Sequence, residues 1–206
     1  VWCSPGDKSS ILFLENITNS YRLSELLELD VLSLENIVKY IFAVTMALSV
    51  AYDNCEFTHY DLHDNNVLIR YQRDYTNVYN IGGKTYEITT SGIPIIVDYG
   101  FSHVKYKRKH FGSYSSDNSI FPDVSFPLHD VFKFVYFIYV DASAFLKPSI
   151  EEILLYLVPF VTKEWFTSKT ETFTYPYLKG LEKFTYADFF YYLLDIYPDF
   201  VKEITP

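Results

Sequence analysis

The sequence predicts an α+β fold, mostly α-helical, with short β-hairpins around one central loop. Three observations predict it. Two apolar runs, Val67-Leu68-Ile69 and Pro94-Ile95-Ile96-Val97, are short enough and apolar enough to read as buried strands. Ile37, Ile41, Val44, Leu48 and Ala51 keep a helical period over a long stretch. Beyond Leu128 the pattern is strongly apolar and helical. With 206 residues and 49% apolar composition, the chain suffices for one domain with a sizeable core. No internal repeat and no clear linker divides it.

The elements follow in order. Ile11-Leu12-Phe13-Leu14 reads as a short buried strand, and the polar run Glu15-Asn16-Ile17-Thr18-Asn19 as an extended connector or turn. Leu23, Leu26, Leu27 and Leu29 suggest a short helix. Ser33 is placed to cap the next helix, with Glu35 near its positive end, and the apolar period carries it to about Tyr52. Val78-Tyr79-Asn80-Ile81 and Thr85-Tyr86-Glu87-Ile88 bracket Gly82-Gly83-Lys84. Gly-Gly supplies the positive φ angles of a tight hairpin turn. The segment between Arg70 and Pro94 is therefore expected to be a protruding hairpin, peripheral to any cleft and removable without loss of the fold. From Ser102 to Pro127 the pattern is irregular and rich in Ser, Lys, Pro and Asp, which predicts a long loop. An apolar helix is predicted from about Leu128 to Tyr139. Pro148-Ser149-Ile150-Glu151-Glu152 resembles a capping box opening a further helix, and Thr185 to Asp188 a second one. The tail from Ala187 to Ile196 is amphipathic and aromatic.

Composition narrows the function classes. A net charge of −9 argues against a general nucleic-acid binder, although Lys105-Tyr106-Lys107-Arg108-Lys109-His110 is a local basic run. It reads more naturally as a solvated loop face. Two cysteines, Cys3 and Cys55, form neither a disulfide framework nor a metal spacing, and point to a reducing, intracellular and cytoplasmic setting. No signal peptide is visible. The longest apolar stretch, Ile37 to Tyr52, contains Lys39 and is short for a bilayer span, so no membrane is expected among the partners. The 20 Tyr and 18 Phe, with Lys favoured over Arg, match AT-rich codon usage. The first residue is Val1, so the chain is expected to be a piece of a longer protein.

The chemistry concentrates in His59-Tyr60-Asp61-Leu62-His63-Asp64-Asn65-Asn66, an H-x-D-x-x-x-x-N spacing that runs into the apolar strand after it. The second apolar run ends in Asp98-Tyr99-Gly100. Each segment is a loop beside a buried strand, so each is able to fix an acidic side chain at the edge of a cleft. The pair resembles the catalytic loop and the D-F-G segment of protein kinases. The resemblance covers most of the chain from Ile11 onward and is most specific between His59 and Asp130.

It implies the large, C-terminal lobe of the kinase fold, residues 23–206, with the hairpin insert at about 71–94 and residues 1–22 as a remnant strand and hinge of the small lobe. It implies ATP- and Mg2+-dependent phosphoryl transfer to Ser/Thr hydroxyls of a protein substrate. Asp61 falls on the catalytic base, with His63 beside it as a possible donor to phosphate oxygens. Asn66 and Asp98 fall on the metal ligands. Glu15 and Ile17 fall in the hinge that carries the adenine, and Leu68 beneath it. Asp130, on a buried helix, falls on the residue that holds the catalytic-loop backbone. These residues are expected to converge on one cleft.

Departures from the pattern matter. Tyr60 replaces the arginine of H-R-D, and His63 replaces the lysine two residues after the catalytic aspartate. The D-L-H form resembles haspin-like and aminoglycoside-phosphotransferase-like enzymes. No A-P-E motif is visible. The insert looks like one carried by kinase-like proteins of large DNA viruses of eukaryotes. A Gly-rich loop and a V-A-I-K lysine are missing, so a small lobe would have to come from the parent chain, and the isolated chain is expected to have negligible activity. A pseudokinase or lone-lobe interaction module and a small-molecule kinase are the alternatives on the same fold. From another class, His59-x-Asp61 with His103, His110 or His129 would be a two-His-one-carboxylate iron site.

Overall fold

The computed structural model describes residues 2–5, 10–13, 16–112, 125, 127–157 and 184–204. Leu14, Glu15, Ser113 to Ser116 and much of the expected long loop lie outside the described residues. The chain opens with β1 (Trp2–Pro5) and β2 (Ser10–Phe13), an antiparallel pair with Trp2 opposite Phe13. Then come β3 (Ser20–Arg22), α1 (Leu23–Glu28) and α2 (Leu34–Cys55). A loop and a single 3₁₀ turn, Asp64–Asn66, lead into β4 (Val67–Ile81) and β5 (Lys84–Ile96). β6 (Val104–Tyr106), β7 (Lys109–Phe111), α3 (His129–Asp141), α4 (Lys147–Leu157), α5 (Tyr186–Ile196) and β8 (Lys202–Ile204) complete it. The main sheet is antiparallel, in the order β3-β4-β5-β8. The fold is thus α+β.

α2 forms where the apolar period indicates. Ser33 stays extended and its Oγ accepts from the Asn36 N–H at 3.2 Å, satisfying one orphan donor of the first turn. Glu56, at φ 46°, ends the helix in the left-handed conformation, three residues past the expected end. α2 has the length and apolarity of a membrane span, yet its apolar face, including Ile37, Ile41, Val44 and Leu48, is buried in the core. That core continues through α3, whose Val131, Phe132, Phe134, Val135 and Ile138 are fully buried.

The hairpin forms as expected, but it does not stand away from the body. Gly82 and Gly83 adopt φ 58° and 82° between the paired residues Ile81 and Lys84, which suits a two-residue turn twisted like its strands. Ile81, Tyr86 and Ile88 are buried in the common core, and Tyr79 meets Phe42 of α2 at 5.8 Å between ring centroids. β8 extends the sheet by pairing with residues 85–87. Tyr191 of α5 lies so close to Gly82 that a Cβ there would collide with its hydroxyl. The expectation of a removable appendage is therefore corrected. Period-2 alternation gives the hairpin one apolar face, and that face covers α2 and α5.

Two further expectations change. α4 starts at Lys147, so Ser149 lies inside its first turn and is not its cap. Pro148 suits that turn because no intrahelical acceptor is needed for a first-turn nitrogen. The capping box at α5 is present: Thr185 Oγ1 accepts from Asp188 N at 3.2 Å, and Asp188 Oδ2 accepts from Thr185 N at 2.9 Å. Inside the expected long loop, β6 and β7 form a small hairpin turned by Lys107 and Arg108 at φ 49° and 65°. Neither residue signals such a turn, so sequence pattern does not find it.

Candidate functional site

The loop 59–66 is held between the end of α2, the end of β5 and the first turn of α3. At its entry Thr58 exchanges two backbone hydrogen bonds with His103, at 3.0 and 2.8 Å. The next two backbone N–H groups, of His59 and Tyr60, both donate to Asp130, at 2.6 Å to Oδ2 and 2.9 Å to Oδ1. Asp130 is 1% exposed. Burial pushes its carboxyl upward from the usual range, opposed by His59, the two amides and Lys133. Tyr60 is fully buried at φ 64°, a conformation that costs a non-glycine residue about 1–2 kcal/mol. The clamp on either side of it explains how that conformation is held. Asp130 therefore does what its motif position implies.

His59 ties the loop to the strand end. Its Nε2–H donates to the Val97 carbonyl at 3.0 Å, and Nδ1 accepts from the Asp61 N–H at 3.3 Å. Both ring nitrogens are thereby used for positioning, which fixes the tautomer. Tyr99 packs on the same ring at 5.4 Å and donates its hydroxyl to the Ile96 carbonyl at 2.8 Å.

Asn66 is nearly buried. Its Nδ2 donates to the Asp61 carbonyl at 2.9 Å and to His63 Nε2 at 3.1 Å, which leaves Oδ1 as the acceptor. Its own carbonyl accepts from the Val97 N–H at 2.9 Å. That bond continues the β4-β5 ladder, in which Val67 faces Ile96, and sets Asp98 one residue beyond Asn66's partner. Asp98 is exposed, stands at φ 63° and accepts weakly from the Gly100 N–H at 3.4 Å. Two loops far apart in sequence are thus sewn together.

Asp61 and His63 share this rim. Burial holds the His63 imidazole below its ordinary value, Asp61 works against that, Lys133 and His59 reinforce it, and Asp98 opposes it weakly. A neutral ring suits an acceptor for Asn66. His63 Nε2 lies 3.8 Å from Asp61 Oδ2, and Lys133 Nζ lies 2.9 Å from Asp61 Oδ1. Asp61, His63 and Asn66 therefore meet at one edge of the loop, and the Val97 bond sets the Asp98 backbone next to it. Leu68, half-buried, follows on β4. Ile17 is half-buried on the connector, its carbonyl accepting from Ser20 Oγ at 2.8 Å, and strand pairing sets Leu68 opposite Arg22. Glu15 is outside the described residues.

Sequence reasoning missed two groups. Lys133 is one: a lysine in an apolar helix, one turn after Asp130, was the available signal. The other is Asp64, fully buried in the 3₁₀ turn, whose neighbour is the Asp141 carboxyl at the end of α3. Two such acceptors bond only when one is protonated. Burial, then a hydrogen bond and charge from Asp141, push Asp64 up to about 7. The folded state holds this proton more tightly than the unfolded one. The associated stability is full below about pH 4 and is lost as pH rises through about 7. Asp64→Asn, which carries its own donor to Asp141, is expected to raise stability at pH 8 by about 1–3 kcal/mol and to flatten the decline from pH 5 to 8. Urea unfolding at both pH values checks this; an unchanged decline would refute the shared proton.

Among the described residues no three His, Cys, Asp or Glu side chains gather as a metal site. The two-His-one-carboxylate reading fails there: His59 is committed to backbone groups, and His103 pairs with His110 at 2.9 Å and with Ser125.

No protein-family model matches the chain. It is 30% identical over 148 residues to "Probable kinase 098L" of Invertebrate iridescent virus 3, covering 69% of this chain and 27% of that protein. Over 71 residues it is 31% identical to "Uncharacterized protein 179R" of Invertebrate iridescent virus 6, which is 34% of this chain and 6% of that protein. Over 81 residues it is 36% identical to "Uncharacterized protein 035R" of Invertebrate iridescent virus 3, which is 35% of this chain and 7% of that protein. The chain therefore spans about a quarter or less of the relatives it matches. The similarity suggests a viral kinase-like protein.

Proposed function

We propose that this chain is the catalytic large lobe of an ATP- and magnesium-dependent phosphotransferase that acts on Ser and Thr hydroxyls of proteins. One observation carries the reading. A buried helix carboxylate, Asp130, fixes the loop that carries Asp61, and a backbone bond from Val97 to Asn66 sets Asp98 beside that loop. The similarity to a probable kinase supports phosphoryl transfer at the coarser level.

The donor set fits the metal. Asn66 spends its amide N–H groups inside the loop and keeps an oxygen, and Asp98 presents an exposed carboxylate. Two hard oxygen ligands are what a magnesium ion takes from a protein when phosphates and water complete its shell. When bound, that ion neutralises the nucleotide phosphates and holds them in line. Asp61 orients the acceptor hydroxyl and takes its proton, and His63 lends a neutral donor toward phosphate oxygens. Leu68, with Glu15 and Ile17 in the connector, takes the adenine side. The setting is intracellular, in the host cytoplasm of a virus, with neither nucleic acid nor membrane as partner.

Titrating ATP into the longer protein with and without magnesium tests the reading. Asp98→Asn and Asn66→Ala are expected to weaken magnesium-dependent ATP binding by at least about tenfold while leaving the metal-free affinity unchanged. Unaltered binding in both variants would remove these residues from the metal. Binding without transfer to any protein or small acceptor would favour a pseudokinase.

A further inference from the structure

We infer that Lys133 is a positioning residue for Asp61, holding one carboxylate oxygen so that the other faces the acceptor hydroxyl; this rests on the phosphotransferase reading above. Lys133 lies one helical turn after Asp130, on the same face of α3. Its side chain is 11% exposed. Nζ donates to the Tyr60 carbonyl at 2.9 Å and to Asp61 Oδ1 at 2.9 Å. Asp130 takes the N–H of Tyr60 at 2.9 Å. One helix face thus grips both polar ends of the same left-handed residue, and reaches past it to the side chain of the next.

The geometry divides the labour between the two Asp61 oxygens. Oδ1 is committed to Lys133, while Oδ2 lies on the side of His63, at 3.8 Å. A carboxylate held at one oxygen by a buried ammonium has little rotational freedom, and orientation is a large part of this kind of catalysis. The cation is needed from below because the loop supplies none. His63 Nε2 is taken by the Asn66 amide at 3.1 Å, so that nitrogen offers no hydrogen to Asp61. His129, also beside Lys133, is driven down to about 3 by burial and by the lysine's charge, so it is no competing cation.

Two measurements separate this inference from the reading it rests on. In the longer protein, Lys133→Met is expected to lower kcat roughly 100-fold with KM for ATP within about threefold, and Lys133→Arg to recover at least part of the loss. In an Asp61→Asn background, Lys133→Met should cost nothing further, because the lysine acts through the aspartate. An equal loss in both backgrounds, or an undiminished kcat in Lys133→Met, would overturn the inference. Urea unfolding of the 206-residue chain needs no activity. There Lys133→Met and Asp61→Ala, which removes both carboxylate oxygens, should be non-additive by about tenfold in the unfolding equilibrium constant. Additive effects would refute the pairing itself. Coupled unfolding in a protein that transfers no phosphate would instead keep the pairing and sink the enzymatic reading.

Discussion

Asp130→Ala is expected to destabilise the chain by about 3–5 kcal/mol and to release the loop 59–66. The substitution removes the acceptor of two buried amides at once, those of His59 and Tyr60. Each orphaned buried donor costs about 1–3 kcal/mol, and the site is deep, Asp130 being 1% exposed. The change also strips Lys133 and His59 of a nearby negative charge, since both act on the Asp130 carboxyl. With that half of its clamp gone, Tyr60 is held at its φ of 64° only through the Lys133 bond to its carbonyl. Asp130→Asn keeps one acceptor oxygen and should fall between the two. Urea unfolding measures the loss, and hydrogen exchange at the amides of residues 59 and 60 locates it. A loss below about 0.5 kcal/mol, with both amides still protected, would show that the loop is held by something else.

Asp61→Asn should cut turnover of the longer protein by about 10²–10⁴-fold. The amide keeps the shape of the side chain and leaves an oxygen for Lys133 Nζ, which now lies 2.9 Å from Oδ1. What it loses is the capacity to take a proton. Asp61 is 30% exposed, so removing its charge costs folding little, about 1 kcal/mol. The expected signature is a fall in kcat with KM for ATP nearly unchanged and with an unfolding transition close to that of the parent. A variant with full turnover would take Asp61 out of the proton-accepting role. A variant that merely unfolds would say nothing of catalysis, which is why the unfolding curve belongs to the same experiment.

Much of the local structure was legible. Ser33 caps α2, Thr185 and Asp188 box the start of α5, and Gly82-Gly83 turns the hairpin, because each depends on residues two to four apart. The α4 start was misplaced because a plausible capping pattern at 148–152 fell inside a helix that begins at Lys147. The β6-β7 hairpin was missed because Lys107 and Arg108 adopt left-handed angles without the residue types that announce them. The β4-β5 hairpin was drawn correctly and placed wrongly. Alternation reveals that a strand has an apolar face, and not what covers it. Here α2 covers it where Phe42 meets Tyr79, and α5 closes on its turn through Tyr191 at Gly82.

The sequence by itself determined the α+β class, the helix caps, the hairpin turn and the spacing of His59, Asp61, Asn66 and Asp98 along two strand-flanked loops. These are properties of residue type and short-range period, and they survive whatever the rest of the chain does. Only the tertiary structure decided that Val97 bonds Asn66, that Asp130 grips the loop across 71 and 70 positions of sequence, and that Lys133 reaches Asp61 across 72. It likewise decided that the buried Asp64 lies beside Asp141. The physical reason is common to all of them. A buried polar group must find its partner within about 3 Å, and which distant residue stands there is set by how α3 packs against α2 and the sheet.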